Sequence, residues 1–164
     1  MRNTYFKLWV HAILKVSDEI RNQVLIRPSL EPLLYLKLEK VLTEQGCEVL
    51  SIGGRSDHVH ILYQENPLRS VHETLLFTRH MSMKWYQDHD FKTAYAKFDW
   101  LNSYCAYSVS ESLLDKTIYL IENQAIIHKQ MGCDEEIWHL NMIHNADMRT
   151  YEFEGFGEVI NLLK

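Results

Sequence analysis

The 164-residue sequence has few cysteines and contains neither a long apolar run nor a surplus of basic residues. Its three cysteines, Cys47, Cys105 and Cys133, are widely spaced and form no Cys-x-x-Cys pair. This argues against a disulfide framework or a zinc–cysteine site and favours the reduced thiols of a cytoplasmic protein. Charged residues interrupt every apolar stretch, so we expect no membrane-spanning segment. The N-terminus also lacks the apolar core of a secretory signal.

The formal net charge is −5, because 22 acidic residues outnumber 17 basic ones. Proteins that bind a nucleic-acid backbone usually carry a basic surplus, since neutralising phosphates supplies much of their affinity. The composition therefore argues mildly against strong nonspecific DNA binding, although local basic patches remain compatible with it. A chain of this length with 46% hydrophobic residues fits one domain with a hydrophobic core.

Two histidines, His58 and His60, stand one residue apart in an apolar run that is predicted to be a strand. Successive side chains of a strand alternate between faces, so both imidazoles project from one face and Val59 from the other. Two neighbouring imidazoles fit poorly in an apolar core but form half of a metal site. Taken alone, such a pair more often represents strand histidines that are hydrogen-bonded to their neighbours without a metal.

Hydrophobic periodicity and turn residues predict four strands and three helices in the order β-α-β-β-α-β-α. Ser29 is the predicted N-cap of the first helix, Gly46 follows its end, Pro67 opens the second helix and Ser110 caps the third. The predicted strands are 4–16, 47–52, 58–63 and 98–110, and the helices run to 45, over 68–87 and over 111–130.

This order predicts an α+β, ferredoxin-like split βαβ sandwich. Two helices would cover one face of a four-stranded antiparallel sheet, and a C-terminal helix follows. The other face is either covered as well or is a working surface. Residues 1–131 are expected to form this domain. Residues 132–164 are expected to be an extension, acidic at its start and apolar from Phe153 onward, that packs on the domain or on a partner chain.

The ordered motifs resemble those of the single-tyrosine HUH transposases of the insertion-sequence type and their relatives at dispersed palindromic repeats. The likeness covers about the first 130 residues. His58 and His60 match the histidine motif, Gln124 ends an Ile-Glu-Asn-Gln run of the last helix, and His11 matches a histidine of the first strand. Further matching positions are Ser82, Lys84, Trp85, Phe98, Trp100, Tyr104, Ala106, Ser108, Ser110, Ile121, Asn123 and His128.

The resemblance implies DNA transposition through chemistry on single-stranded DNA. His58, His60 and Gln124 would bind a divalent cation, Mg²⁺ or Mn²⁺, which polarises the scissile phosphate. A helix tyrosine would attack, leaving a 5′-phosphotyrosine and a free 3′-hydroxyl, and the reverse step would join strands. The implied partners are single-stranded DNA with hairpins and a second copy of the chain. In some of these homodimers the tyrosine helix serves the histidine pair of the other protomer.

The nucleophile position departs from the family pattern. The family tyrosine precedes the glutamine by four residues, and that position is Leu120 here. Residues four apart on a helix lie within about 40° of each other, whereas Tyr119, five before Gln124, lies about 140° around the axis. Three interpretations stay open. A π-bulge or register shift turns Tyr119 inward, another tyrosine such as Tyr104 or Tyr107 serves, or the chain no longer cuts DNA.

Three functions are therefore compared. The first is a DNA-cleaving enzyme with Tyr119 as its tentative nucleophile. The second is a divergent or domesticated non-catalytic DNA-binding module. The third is a dimeric protein whose function depends on the interface formed by its last helix and C-terminal tail. Arg55, Arg79 and Lys84 are candidates for phosphate contacts, although a solvated helix face explains them equally well. Gln124 could simply cap a neighbouring strand, and Tyr119 could be a surface aromatic.

Overall fold

The protein is described by a computed structural model, which covers residues 5–18, 25–90 and 97–146. The strands are β1 (Trp9–Lys15), β2 (Glu48–Arg55), β3 (His58–Gln64) and β4 (Cys105–Val109). The helices are α1 (Glu31–Glu44), α2 (Val71–His89), α3 (Leu114–Glu122), α4 (Gln124–Ile127) and α5 (Cys133–His144), and a 3-10 turn spans Glu111–Leu113.

The four strands form one antiparallel sheet in the order β2-β3-β1-β4, which confirms the predicted α+β class. The two central strands, β1 and β3, are adjacent although α1 and β2 separate them in the chain. This is the split βαβ arrangement. Within the described ranges, no helix combines the length and apolar character needed to cross a bilayer.

Alternation along β1 separates two apolar layers on opposite faces of the sheet. Val10, Ala12 and Leu14 are buried in the larger layer, which also contains Leu38 of α1 and Leu75 of α2. These side chains share one face because they are two residues apart. The two long helices therefore cover this face, as the sequence predicts.

The opposite face is covered by helices from the same chain. Ile121 of α3 packs with Trp9 and Leu62, and Leu140 of α5 packs with Ile13. No helix is predicted after residue 132, so α5 is an element that the sequence pattern did not reveal. The predicted apolar end beyond residue 152 lies outside the described residues.

The predicted strand over 98–110 is too long, since β4 includes only Cys105–Val109. Phe98 and Trp100 are buried in the layer beneath α2 instead of lying in a continuous ladder. The ring of Phe98 stacks on Tyr86 with 4.1 Å between centroids. Aromatic residues predict a strand because they pack well on a pleated surface, and here the same property places them in the core beneath a helix.

The single helix predicted over 111–130 is also wrong. A 3-10 turn precedes α3, and the backbone of Asn123 (φ −106°, ψ 22°) separates α3 from α4. The Asn123 side-chain amide donates to the carbonyl oxygen of Tyr119 at 2.8 Å. Such a local bond competes with the regular helical pattern. Ser110 precedes the 3-10 turn but its side chain makes no capping hydrogen bond.

Two other predicted helix starts are shifted, and one end is confirmed. The N-cap of α1 is Leu30 instead of Ser29, and α2 begins after Ser70 instead of at Pro67. Gly46 has φ 81° directly after the last turn of α1, the left-handed conformation expected at that position.

Ser70 and Ser110 form a matched pair for testing helix capping. Ser70 Oγ accepts from the backbone N–H of Glu73 at 3.2 Å, and the Glu73 carboxylate accepts from the Ser70 N–H at 2.9 Å. We expect Ser70→Ala to lower the free energy of unfolding by about 1 kcal/mol. Ser110→Ala, which removes no capping bond, should change it by less than about 0.5 kcal/mol. Urea denaturation measures both, and equal losses would contradict the capping box.

Candidate metal centre

Three histidines lie side by side on the sheet face that α3 and α5 cover. His58 and His60 belong to β3, and His11 lies on the neighbouring β1, next but one to the register partner of His60. All three are buried, with at most 2% of each residue exposed. The ring centroids of His58 and His60 are 5.0 Å apart, so the two imidazoles share one face as strand alternation predicts.

Each histidine of β3 has a partner at its Nδ1 atom. Asp57 Oδ1 lies 2.8 Å from Nδ1 of His58, and Nε2 of His11 lies 2.9 Å from Nδ1 of His60. Outer partners of this kind fix the tautomer and orientation of a ligating imidazole and leave Nε2 for a metal. Nε2 of His60 is buried and has no hydrogen-bond partner within the described part of the chain. An unpaired buried nitrogen is rare, and it fits a metal ligand.

Gln124 reaches the same point from the helical layer. It is the first residue of α4, directly after the break at Asn123, and only 2% of it is exposed. Its Oε1 atom lies 2.9 Å from Nε2 of His58 and 3.0 Å from Nε2 of His128, one turn further along. The structure therefore brings Gln124 into contact with the histidine pair.

A buried carboxylate that the sequence analysis did not assign completes the cluster. Glu136 of α5 is 3% exposed, and its Oε2 atom lies 2.9 Å from Nε2 of His128, 3.4 Å from that of His60 and 3.8 Å from that of His58. Its Oε1 accepts from the Gln124 side-chain amide at 2.8 Å. The spacing of Cys133, Glu136 and Leu140 on one helical face was the available signal. An acidic residue on such a face is unusual without a partner.

Burial and mutual contacts set the charges of the cluster. Burial disfavours the charged form of His11, and repulsion from His60 adds to this, so the pKa of His11 falls to about 3. Burial also lowers the pKa of His60. Burial opposes protonation of His58, but the hydrogen bond to Asp57 and smaller contributions outweigh it and raise the pKa of His58 to about 10. Burial would raise the pKa of Glu136, but its contacts with His60, Gln124 and His128 lower it to about 2.

The donor atoms are close enough to share one ion. Among the described residues, His58, His60 and Glu136 offer ligand atoms that all lie within 4.8 Å of one another, and Asp57, His58 and Cys133 form a second such group. Imidazole and carboxylate are ordinary ligands of divalent transition metals. The cluster can therefore hold a metal ion.

Tyr119 and Leu120 of α3 are less buried than the donor residues. Tyr119 is 67% exposed, so the helix break at Asn123 does not turn its side chain into the core. Leu120 packs partly buried against both small apolar clusters, and its carbonyl oxygen accepts from the Gln124 side chain at 3.3 Å. The position at which the resemblance predicts a nucleophile, Leu120, therefore carries an apolar side chain that packs with apolar neighbours.

The two other candidate tyrosines are engaged elsewhere. Tyr104 packs against the core beneath the long helices, and its hydroxyl lies 3.1 Å from Nδ1 of His72. Tyr107 is buried on the histidine face, where its hydroxyl donates to Asn141 Oδ1 at 2.7 Å. Burial raises the pKa of the Tyr107 phenol, which makes it a poorer nucleophile.

The three basic candidates for DNA contacts occupy different environments. Arg55 is exposed at the end of β2, in register with His58. Lys84 is exposed on α2, in the helical layer on the other side of the sheet. Arg79 is 4% exposed, and its guanidinium donates to the carbonyl oxygens of Leu101 and Asn102.

Comparison with known proteins assigns the chain to a protein family. A family model described as IS200-like transposase matches residues 4–124. The chain belongs to this transposase family. The matched region ends at Gln124, so α5 and Glu136 lie beyond it.

Solved transposase structures share the fold. A protein of Deinococcus radiodurans R1, assigned as a transposase, is 25% identical with a TM-score of 0.55, and the match covers 76% of this chain and 95% of that one. The REP-associated tyrosine transposase bound to a REP hairpin is 10% identical with a TM-score of 0.56, over 96% of this chain and 94% of its own. The second likeness shows the fold alone. No match was found among curated protein sequences.

A glycine of β2 allows α3 to approach the sheet closely. Gly53 lies opposite His60, and a Cβ added there would overlap the carbonyl oxygen of Ile121, three residues before Gln124. We expect Gly53→Ser to lower the free energy of unfolding by about 1–3 kcal/mol, because α3 would have to move.

Gly132→Ser is the matched control for this substitution. A Cβ at Gly132 meets nothing within 4 Å, and serine is a favourable residue before a helix. Its effect should stay within about 0.5 kcal/mol. Thermal melts compare the two variants. An unchanged melting temperature in Gly53→Ser would contradict the close approach of α3.

Proposed function

We propose that this transposase-family protein binds hairpin-bearing single-stranded DNA, and that His58, His60 and Gln124 bind a divalent cation, Mg²⁺ or Mn²⁺, on the sheet face that α3 and α5 cover. The observation that carries the proposal is the convergence of buried donors from β3 and α4, including Nε2 of His60, which makes no hydrogen bond to the residues that the structure describes. A cation bound there would neutralise charge on a DNA phosphate. The imidazoles and the carboxamide would fix the position of the cation. Asp57 orients the imidazole of His58, and His11 orients that of His60.

We propose further that strand cleavage is lost or impaired. Leu120 occupies the position of the family's tyrosine and has no nucleophilic atom. Tyr119 is largely exposed and is separated from the histidine face by its position on α3. DNA binding without a covalent step is therefore the function that we favour.

An active strand-cleaving and rejoining enzyme is the second candidate, and the exposure of Tyr119 favours it in one respect. A phenol exposed on one protomer can contact a second protomer, and it would reach the buried histidines there only if α5 moves. Its oxygen would bond to phosphorus as the bond to the 3′-oxygen breaks, giving a 5′-phosphotyrosine and a 3′-hydroxyl that receives the phenolic proton. The reverse step would rejoin the strands.

The second candidate requires a homodimer, which we also propose. Ile126 of α4 and Trp138 and Met142 of α5 are each more than half exposed. Trp138 and Met142 lie four residues apart on one side of α5, and neighbouring exposed apolar side chains are typical of a protein interface. A cytoplasmic location is proposed as well, because Cys47, Cys105 and Cys133 are all free.

The two candidates differ in whether they form a covalent adduct. We expect the wild-type chain, incubated with Mn²⁺ and a hairpin-bearing single strand, to retard the DNA in a native gel but to give no protein–DNA adduct in a denaturing gel. Leu120→Tyr restores a phenol four residues before Gln124 and should produce an adduct if geometry alone is missing.

Tyrosine variants test the second candidate, the strand-cleaving enzyme. An adduct formed by the wild type and abolished by Tyr119→Phe would overturn the non-catalytic proposal and establish the enzyme. Tyr5→Phe is the control, because Tyr5 is also highly exposed but lies before the first strand.

Salt dependence tests whether phosphates contribute to binding. The affinity for the hairpin should fall as salt rises, because each neutralised phosphate releases counterions. Arg55→Ala should reduce the slope of log affinity against log salt by about 1, since Arg55 lies at the strand end beside His58. Lys40→Ala on α1 should leave the slope unchanged. Filter binding across a salt series gives both slopes, and a salt-independent affinity would argue for the dimeric protein without DNA function.

A further inference from the structure

We propose that Glu136 of α5 is a metal ligand and that, with His58, His60 and Gln124, it forms a carboxylate-bearing site that prefers a first-row transition ion such as Mn²⁺ over Mg²⁺. The inference rests on the metal centre of the proposed function and adds a ligand from outside the matched transposase region.

The spacing of the donor atoms is that of ligands around one ion. Two donors about 2.1 Å from a common ion are about 3.0 Å apart at a right angle and about 3.4 Å apart at a tetrahedral angle. Glu136 Oε2 lies 3.4 Å from Nε2 of His60, and Gln124 Oε1 lies 2.9 Å from Nε2 of His58. The 3.8 Å between Glu136 Oε2 and Nε2 of His58 corresponds to a wider angle of about 130°.

The orientation of each group also leaves a donor atom facing the centre. Nε2 of His60 is buried, makes no hydrogen bond among the residues described, and lies 3.4 Å from Oε2 of Glu136. The Gln124 amide nitrogen donates to Oε1 of Glu136, which keeps the amide oxygen directed toward His58. His128 contacts Oε2 of Glu136 at 2.9 Å and is a positioning residue for the carboxylate.

Contacts on both sides of Glu136 fix α5 over the site. Near its beginning, Asp134 pairs with Lys15 of β1. Near the end of α5, Asn141 accepts from the Tyr107 hydroxyl of β4, and the adjacent Leu140 is buried. The carboxylate is thus held over the histidines by two strands of the same sheet, and its position does not depend on a side-chain rotation alone.

The chemistry of the donors favours a transition ion. Mg²⁺ keeps several waters and is usually held by one or two carboxylates with substrate phosphates. A buried site with two imidazole nitrogens, an amide oxygen and a carboxylate replaces most of those waters, and imidazole suits transition ions better than Mg²⁺. The expected ligand is therefore a transition ion bound before DNA arrives.

Metal binding to the full chain without DNA tests the proposal. Free Mn²⁺ is counted by electron paramagnetic resonance, and competition with Mg²⁺ gives the relative affinity. We expect wild type to bind one Mn²⁺ about tenfold or more tightly than Mg²⁺. Glu136→Gln should weaken Mn²⁺ binding by about tenfold or more, while the neighbouring, exposed Glu135→Gln should match wild type.

The outcomes separate this inference from the proposed function. If wild type binds Mn²⁺, His60→Ala abolishes binding and Glu136→Gln binds as wild type does, Glu136 is not a ligand but the proposed centre remains. If wild type binds no Mn²⁺, both proposals fail. Equal affinity for Mg²⁺ and Mn²⁺ would overturn the preference. Because Glu136→Gln could disturb folding, circular dichroism accompanies each titration. Glu136→Asp, which keeps the charge but shortens its reach, should give intermediate affinity, and wild-type affinity for it would also contradict ligation.

Discussion

The burial of polar side chains on one face of the sheet is the constraint on which this half of the structure depends. An unpaired buried donor or acceptor costs about 1–3 kcal/mol, so three histidines on β1 and β3 must be given partners by whatever covers them. The turn before β3 supplies Asp57, α4 supplies Gln124 and α5 supplies Glu136. The turn before β3, α4 and α5 therefore each contribute a polar group to one cluster, in which Nε2 of His60 lies 3.4 Å from Glu136 but makes no hydrogen bond within the described residues.

The sequence predicted the part of the site that follows from local periodicity. Alternation in β3 places His58 and His60 on one face, and the topology follows from the order of elements. Glu136 could not be assigned in the same way. Its helical spacing marks it as inward-facing, but a buried acid becomes reasonable only once its partners are known, and His60 and Gln124 are 76 and 12 residues away. That information is tertiary.

The failures in element boundaries have local physical causes. Phe98 and Trp100 carry the composition of a strand, yet their rings contribute more by packing beneath α2 than by extending β4. The break between α3 and α4 contains no proline or glycine, so periodicity alone predicts one continuous helix there. At the break, side-chain amides donate to main-chain carbonyls: that of Gln124 to Leu120 at 3.3 Å, and that of Asn123 to Tyr119, which also accepts the regular bond from the Asn123 N–H.

A buried carboxylate also changes what the site can attract. The chain has a net charge of −5, and Glu136 adds a buried negative charge beside the histidines. Two like charges about 4 Å apart near a protein surface repel by about 4 kcal/mol. The contacts of Glu136 keep it ionised at neutral pH, but the raised pKa of His58, whose Nε2 lies 3.8 Å away, makes this imidazole a cation that offsets part of the repulsion. Under the proposed function, a divalent cation bound by the cluster would replace that proton and supply a larger positive charge. DNA binding should therefore be tighter with the metal than without it.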